Sequence, residues 1–317
     1  MTKINKAGPS KIRHTTDEWV TVPENNTVAR RMALARFKLG DLGSRGGAGV
    51  RAVYLSGPPG IGKTHSIAVQ ESIWIARGLR PLRFQPRSKA ELIDFFEQAK
   101  GRQPLIMEEA DLLFRSKPMF EILKQATDPA TPDGYDRINS IDGEKCLVTI
   151  SLNVPIVVST NMDLVGTVGW SKELLADREA LFNRSPPVTV PDDPFALWEW
   201  SVYLALTSHL TREVRLRGVG AGKPRDESNP LTVQAKALDW FTRNVDRLRV
   251  ISPRTLKAVA QFMGRAHRGD MPPLVLEEEL SALLVDEARS GLPTMPTLDW
   301  PRLLTTMPKG EAVKLAA

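Results

Sequence analysis

Ser56-Gly57-Pro58-Pro59-Gly60-Ile61-Gly62-Lys63-Thr64 is the stretch from which the rest of the chain is read. Before it runs Ala52-Val53-Tyr54-Leu55, a short apolar segment that predicts a strand. After it, Ser66 to Ala76 carries apolar residues at helical spacing. Gly57, Gly62, Lys63 and Thr64 satisfy the pattern G-x-x-x-x-G-K-[ST], and a strand before and a helix after are the context a phosphate-binding loop needs. Glycines permit backbone angles that turn successive N–H groups round a phosphate, and the helix that follows adds its positive end. Lys63 reaches the β- and γ-phosphates as a point charge, while the Thr64 hydroxyl suits Mg²⁺. A Gly/Pro turn that merely held a lysine would need neither these flanks nor this spacing. The residues predicted to hold a nucleotide are therefore Gly57, Pro58, Pro59, Gly60, Ile61, Gly62, Lys63, Thr64 and His65.

A second signal lies downstream. Pro104-Leu105-Ile106-Met107 is almost wholly apolar, as a parallel strand buried on both faces should be, and it ends at Glu108-Glu109. Carboxylates at the end of a buried strand are costly unless they meet a cation, and a nucleotide-bound Mg²⁺ supplies one. In this Walker B pattern Glu109 is expected to orient and polarise the attacking water, with Glu108 and Thr64 on the Mg²⁺ side.

Around these signals the chain reads in order. A polar arm at 1–23 shows no periodicity. Helical spacing from Val28 to Leu39 follows the entry Glu24-Asn25-Asn26-Thr27. Leu82 to Gln85 predicts a second strand, and Ser88-Lys89-Ala90-Glu91 opens a helix. Asp111 onward reads as helix to Leu123, and the Pro- and Gly-containing stretch to Asp136 as a surface turn. Arg137–Ile141 and Lys145–Ile150, joined by Asp142-Gly143, predict a hairpin. Val154 to Ser159 predicts another buried strand, running into Thr160-Asn161. Residues 195–290 read as helical in four segments, Phe195–Leu210, Leu231–Leu248, Ser252–His267 and Leu276–Ala288, and Trp300–Leu304 as a short helix in the tail.

Composition sets bounds. A chain of 317 residues with 42% hydrophobic content suits an enzyme-sized globular protein. Its single cysteine, Cys146, excludes an internal disulfide and fits a reducing, cytoplasmic setting. No apolar run approaches a membrane span, so no membrane partner is expected. The net charge of +6 and pI near 9.5 permit contact with a polyanion.

Taken together, Gly57–Thr64, Leu105–Asp111, Pro155–Asn161, Ala180–Arg184 and Ser252–Arg254 resemble the AAA+ ATPases over residues 24 to 290. The resemblance implies an α/β fold, with a P-loop NTPase parallel sheet core, helices on both faces, and a smaller all-α lid domain after it. The implied boundaries are an arm at 1–23, a core at 24–192, a lid at 193–291 and a tail at 292–317. It implies ATP and Mg²⁺ as cofactors and ATP hydrolysis as the activity. It assigns sensor 1 to Asn161, the arginine finger to Arg184 with Arg178 as competitor, and sensor 2 to Arg254. It further implies a homo-oligomer, a ring or open spiral, with ATP sites shared between subunits. One departure stands out: the usual Walker B aspartate is Glu108, one methylene longer, which implies a displaced or water-mediated Mg²⁺ contact. The loop after the second strand is also short and lacks the aromatic-hydrophobic pore dipeptide typical of protein-threading members, which argues against an unfoldase.

What moves with the nucleotide is less defined. Arg243, Arg247, Arg249, Lys257, Arg265, His267 and Arg268 in the lid segments, with Arg212, Arg215, Arg217, Lys223 and Arg225 around a Gly-rich loop, suit a DNA backbone. Interspersed acids such as Asp239 and Asp246 suit solvated helix faces equally. A DNA transaction is thus the first expectation. An ATP-dependent remodeller of a protein complex without nucleic acid is the second, and a weakly hydrolysing ATP-binding switch the third; the N-terminal arm or C-terminal tail offers a protein partner a place to bind.

Overall fold

The structure, a computed structural model, describes residues 25–42, 52–98, 103–127, 136–141, 144–149, 155–167, 169–208, 210–215, 226–292, 295 and 297–306. The 1–23 arm, the Gly43–Gly47 cluster, the 128–135 turn, the Asp142-Gly143 turn, the loop holding Arg217, Lys223 and Arg225, and the end of the tail lie outside them.

The elements follow in chain order: α1 (Thr27–Leu42), β1 (Ala52–Ser56), α2 (Lys63–Ala76), β2 (Leu82–Phe84), α3 (Lys89–Gln98) and β3 (Leu105–Met107). A 3₁₀ turn at Asp111–Phe114 leads to α4 (Lys117–Ala126), the hairpin strands β4 (Asp136–Ile141) and β5 (Glu144–Thr149), β6 (Ile156–Thr160), α5 (Lys172–Arg184) and β7 (Val188–Thr189). Then come α6 (Pro194–Thr207), β8 (Glu213–Arg215), β9 (Asp226–Ser228), α7 (Leu231–Arg243), α8 (Pro253–His267), α9 (Pro273–Ser281) and α10 (Trp300–Thr306).

The chain divides into two units, one of residues 31–58 and 62–191, the other of residues up to 30, 59–61 and from 192 on. In the first, five parallel strands stand in the order β2-β3-β6-β1-β7. Period-two alternation decides what each strand residue touches. Tyr54, Leu105, Met107, Ile156 and Val158 face a cluster with Leu92 and Phe96 of α3, Phe120 and Leu123 of α4, and Leu174 and Leu181 of α5. Val53, Leu55, Ile106 and Val157 face the other way, onto Ala35 and Leu39 of α1 and Ile67 and Trp74 of α2. Both faces of the sheet are therefore covered, which explains why these strands read as continuous apolar runs rather than alternating ones. The fold is a parallel α/β core with helices on both faces. Beside it, β4 and β5 pair antiparallel from Asp136↔Thr149 to Ile141↔Glu144, in the register the hairpin reading predicts.

In the second unit α7 packs on α8, α8 on α9, and α10 on α7. Asn26 fixes the start of α1 there: its Oδ1 accepts from Ala29 N, and its Nδ2 donates to Ala196 O and to Glu199. Two predicted helices are shorter than their apolar spacing suggests. After Arg243 and after Ser281 the backbone leaves the helix to pair with itself, Arg249 N donating to Leu283 O (2.8 Å) and Val285 N to Arg247 O (2.7 Å). Leu248 and Leu284, read as helical positions, instead face each other in a β-bridge. The unit also holds a ladder not anticipated in the sequence, β8 with β9, paired Glu213↔Ser228 to Arg215↔Asp226.

Candidate functional site

In an open parallel sheet, ligands bind beyond the carboxyl ends of the strands. Here β1, β6 and β3 are neighbours in register, Ser56 opposite Thr160 and Met107 opposite Val158. Their carboxyl ends thus share one edge, and each carries a segment singled out in the sequence: the glycine loop after β1, Thr160-Asn161 at the end of β6, and Glu108-Glu109 after β3. Such convergence comes from the strand order alone.

The loop has the backbone its glycines allow. Gly57, Gly60 and Gly62 all have positive φ, at 139°, 81° and 112°. Gly62 is also the N-cap of α2, and no side chain caps that end, which carries the positive pole of the helix. Lys63 is the first residue of α2 and only 8% exposed. Its ammonium donates to Gly57 O (2.5 Å), Pro58 O (2.9 Å) and Asn161 Oδ1 (2.9 Å). The structure thus brings Lys63 and Asn161 into direct contact. Thr64 and His65 follow on the exposed side of the first turn. The tip of the loop groups with the second unit: Trp200 Nε1 donates to Ile61 O (3.2 Å), and a Cβ on Gly60 would fall 2.6 Å from Ser252 Oγ. Only glycine fits there.

Asn161 is held by a residue the sequence reading passed over. Asp111 Oδ1 accepts from Asn161 N (3.0 Å) and from the Thr160 hydroxyl, fixing the end of β6 against the start of the 3₁₀ turn. Asp111 lies two residues beyond Glu109, and its place at the same strand edge was the signal available.

The acidic pair is set by β2. Glu109 has φ 50°, the only positive φ among the described residues other than glycine, and its exposed carboxylate accepts from Gln85 Nε2 (3.0 Å). Left-handed backbone at a non-glycine residue costs about 1–2 kcal/mol and tends to mark functional positions. Glu108 pairs through Oε2 with Arg83 of β2, while its Oε1 is buried with no hydrogen-bond partner. Arg83 in turn grips Glu71 of α2, Nε donating at 3.1 and 2.9 Å and Nη2 at 2.5 Å. That bonding to Glu71, with Glu108 adding to it, holds the guanidinium above its ordinary pKa. Gln85 and Arg83 were legible only as the end of a strand bound for the same edge.

An unpaired buried carboxylate oxygen fits a divalent cation, and Glu108 with the Thr64 hydroxyl offers the hard oxygen donors Mg²⁺ takes. Among the described residues no group of three or more His, Cys, Asp or Glu could hold a metal by itself. A cation at this edge would take its remaining ligands from phosphate and water, as Mg²⁺ commonly does.

The two candidate finger arginines differ in their surroundings. Arg178 donates to Gly166 O and to Val165 O (3.2 Å) and lies 5.5 Å over the Trp170 ring, holding the turn before α5. Arg184 is the last residue of α5, exposed, with Nη1 3.5 Å from Lys124 O. Arg254 is an exposed second residue of α8 in the other unit, next to Ser252, whose Oγ caps the helix by accepting from Thr255 N (3.2 Å).

Glycine loop, buried lysine, polar strand end and acidic pair stand on one edge of a parallel sheet. The chain has a parallel α/β core with a glycine loop of the phosphate-binding pattern, and it resembles the AAA+ ATPases. No family model matches it. It is 25% identical over 233 residues to an uncharacterised 36.7 kDa protein of Enterobacteria phage T4, a match covering 68% of this chain and spanning 64% of that protein. Solved structures similar to it include domain III of the Thermotoga maritima replication initiation protein DnaA (14% identity, TM-score 0.45, 83% of this chain and 95% of that one). The Thermotoga maritima RuvB Holliday junction branch migration motor is another (17%, TM-score 0.41, 84% and 71%). Brucella abortus NtrX in complex with ATP is a third (17%, TM-score 0.40, 87% and 56%). At these scores the likenesses add nothing to what the chain's own strand order and loop say of the fold.

Proposed function

We propose that this protein is an AAA+-type ATPase that hydrolyses ATP to drive conformational remodelling. The observation that carries the proposal is the shared strand edge, where the glycine loop, Lys63, Asn161, Glu108 and Glu109 lie on three adjacent parallel strands or just beyond them. In this reading the N–H groups from Gly60 to His65 and the Lys63 ammonium hold the triphosphate. Glu108 and Thr64 would hold Mg²⁺, and the chemistry it would supply there is charge neutralisation. Glu109 takes a proton from water as the water oxygen bonds to the γ-phosphorus and the bond to the bridging oxygen breaks, leaving ADP and phosphate. Asn161, fixed by Asp111, positions that water. Arg184 of a neighbouring copy stabilises the charge spread over the transferring group, and Arg254 is proposed as sensor 2. Domain limits at 24–192 and 193–291 follow from the same reading.

The work done is proposed to be a DNA transaction by a homo-oligomer. Lys257, Arg265 and Arg212 of the helical unit are among the basic residues proposed to contact phosphates. Several others are committed at home: Arg243 to Asp239, Arg268 to Asp270, Arg247 to Val285 O and Arg249 to Ala282 O. That commitment favours, as a second reading, a protein complex as the object remodelled.

The deciding experiment pairs ATP binding with phosphate release in wild type and Glu109→Gln. The variant should bind ATP as tightly as wild type and release no phosphate. A wild-type protein that ignores adenine nucleotides overturns the proposal. Salt-sensitive DNA stimulation of phosphate release separates the DNA reading from the protein one.

A further inference from the structure

Glu108 stands where the resembling family has aspartate, and the structure shows what its extra methylene reaches. Phe84 of β2 is opposite Met107 of β3, and Glu108 N donates to Phe84 O (3.2 Å), so β2 accompanies β3 up to the acidic pair. Arg83, opposite Ile106, spans from Glu71 on α2 to Glu108, giving one guanidinium two carboxylates. The Glu71 side is the firmer, with contacts from both Nε and Nη2, so Arg83 is anchored there and reaches Glu108 with Nη1. One oxygen of Glu108 is thereby taken, and only Oε1 is without a partner.

We infer that Arg83 is a specificity-determining positioning residue: by occupying Oε2 it restricts Glu108 to one-oxygen coordination and so selects Mg²⁺ over Ca²⁺. The inference rests on the ATP–Mg²⁺ reading above. Mg²⁺ demands a compact octahedron with one oxygen per carboxylate, whereas Ca²⁺ takes six to eight ligands and readily uses both oxygens of one carboxylate. Removing the guanidinium has two effects that must be separated. The loss of a positive charge strengthens attraction for any divalent cation, and by a similar factor for both ions. The release of Oε2 benefits only the ion able to use it. The ratio of the two affinities cancels the first effect and reports the second. Glu71, which touches neither the proposed cation nor the phosphates, acts by holding Arg83 in place.

The test titrates Mg²⁺ and Ca²⁺ separately into full-length protein with a fluorescent ATP analogue, reading analogue binding, with an EDTA control. In Arg83→Gln the apparent Ca²⁺ affinity should rise relative to Mg²⁺ by about tenfold, the lower end of what partners of metal-ligating carboxylates contribute. Arg83→Lys, a single-point donor, should fall between wild type and glutamine. If Arg83→Gln does not fold by thermal melting, Glu71→Gln carries the test and should move the ratio the same way. An unchanged ratio in folded variants that still bind the analogue overturns this inference alone. Wild type that binds no analogue in either cation overturns the ATP reading and this one with it.

Discussion

Glu109 carries a cost that its neighbours do not. With φ at 50° it occupies a region where a side chain is disfavoured by about 1–2 kcal/mol, yet it is exposed, its carboxylate accepting from Gln85 Nε2. Replacement by glycine relieves that strain and adds about 1 kcal/mol of chain entropy to the unfolded state, so the two nearly cancel. Glu109→Gly should therefore melt within a few degrees of wild type while releasing no phosphate, a combination readable by calorimetry beside a phosphate assay. Gly60 is the reverse case. Its φ of 81° and the 2.6 Å approach a Cβ would make to Ser252 Oγ leave no room for alanine. Gly60→Ala should weaken ATP-analogue binding at least tenfold, a loss of about 1.4 kcal/mol or more, as titration would show.

Among the elements, β3 is only three residues long and Ile106 at its centre is fully buried against the α1 and α2 face. Ile106→Ala should cost about 2–5 kcal/mol in urea unfolding with little change in slope, because a void opens where the sheet cannot collapse. α8 depends instead on its cap: Ser252→Ala removes the acceptor for Thr255 N and should cost about 1 kcal/mol. The strands were legible because both-sided burial leaves an unbroken apolar run, and α8 because Ser-Pro marks its start. The ends of α7 and α9 were not legible. Leu248 and Leu284 continue the helical spacing, but the exchange of backbone hydrogen bonds between 247–249 and 283–285 outweighs it, and no local residue announces a pairing across some forty positions. The same limit hid Arg83, Gln85 and Asp111. Their partners come from other elements, and only the strand order shows which ends meet.

For the whole molecule the expectation is assembly. Arg184 ends α5 on the surface with Nη1 3.5 Å from Lys124 O, and Arg178 donates to the turn at Val165 and Gly166; the finger role is proposed for Arg184 on its segment's resemblance. Arg184→Ala should keep ATP-analogue affinity and lose most turnover, about a thousandfold if it acts as a finger. Mixing Arg184→Ala with Lys63→Ala subunits should restore part of the activity, because a mixed interface can pair an intact loop with an intact arginine. Light scattering with and without the analogue reports the oligomer. The fold, and the meeting of loop, lysine and acids at one strand edge, were readable from one chain because spacing sets them; an object for the proposed remodelling was not, since basic residues serve both a helix surface and a polyanion.

Strand β6 carries core packing and polar chemistry in one thread, Val157 and Val158 facing opposite helical layers and Thr160 and Asn161 ending at the site. Inserting or deleting a single residue within it would reverse which layer each valine meets and turn Asn161 away from Lys63 in the same stroke. Connections between the elements can lengthen or shorten as this chain diverges, whereas the count from Ile156 to Asn161 is fixed twice over, once by the oily layers on either side and once by the grip of Asn161 on Lys63.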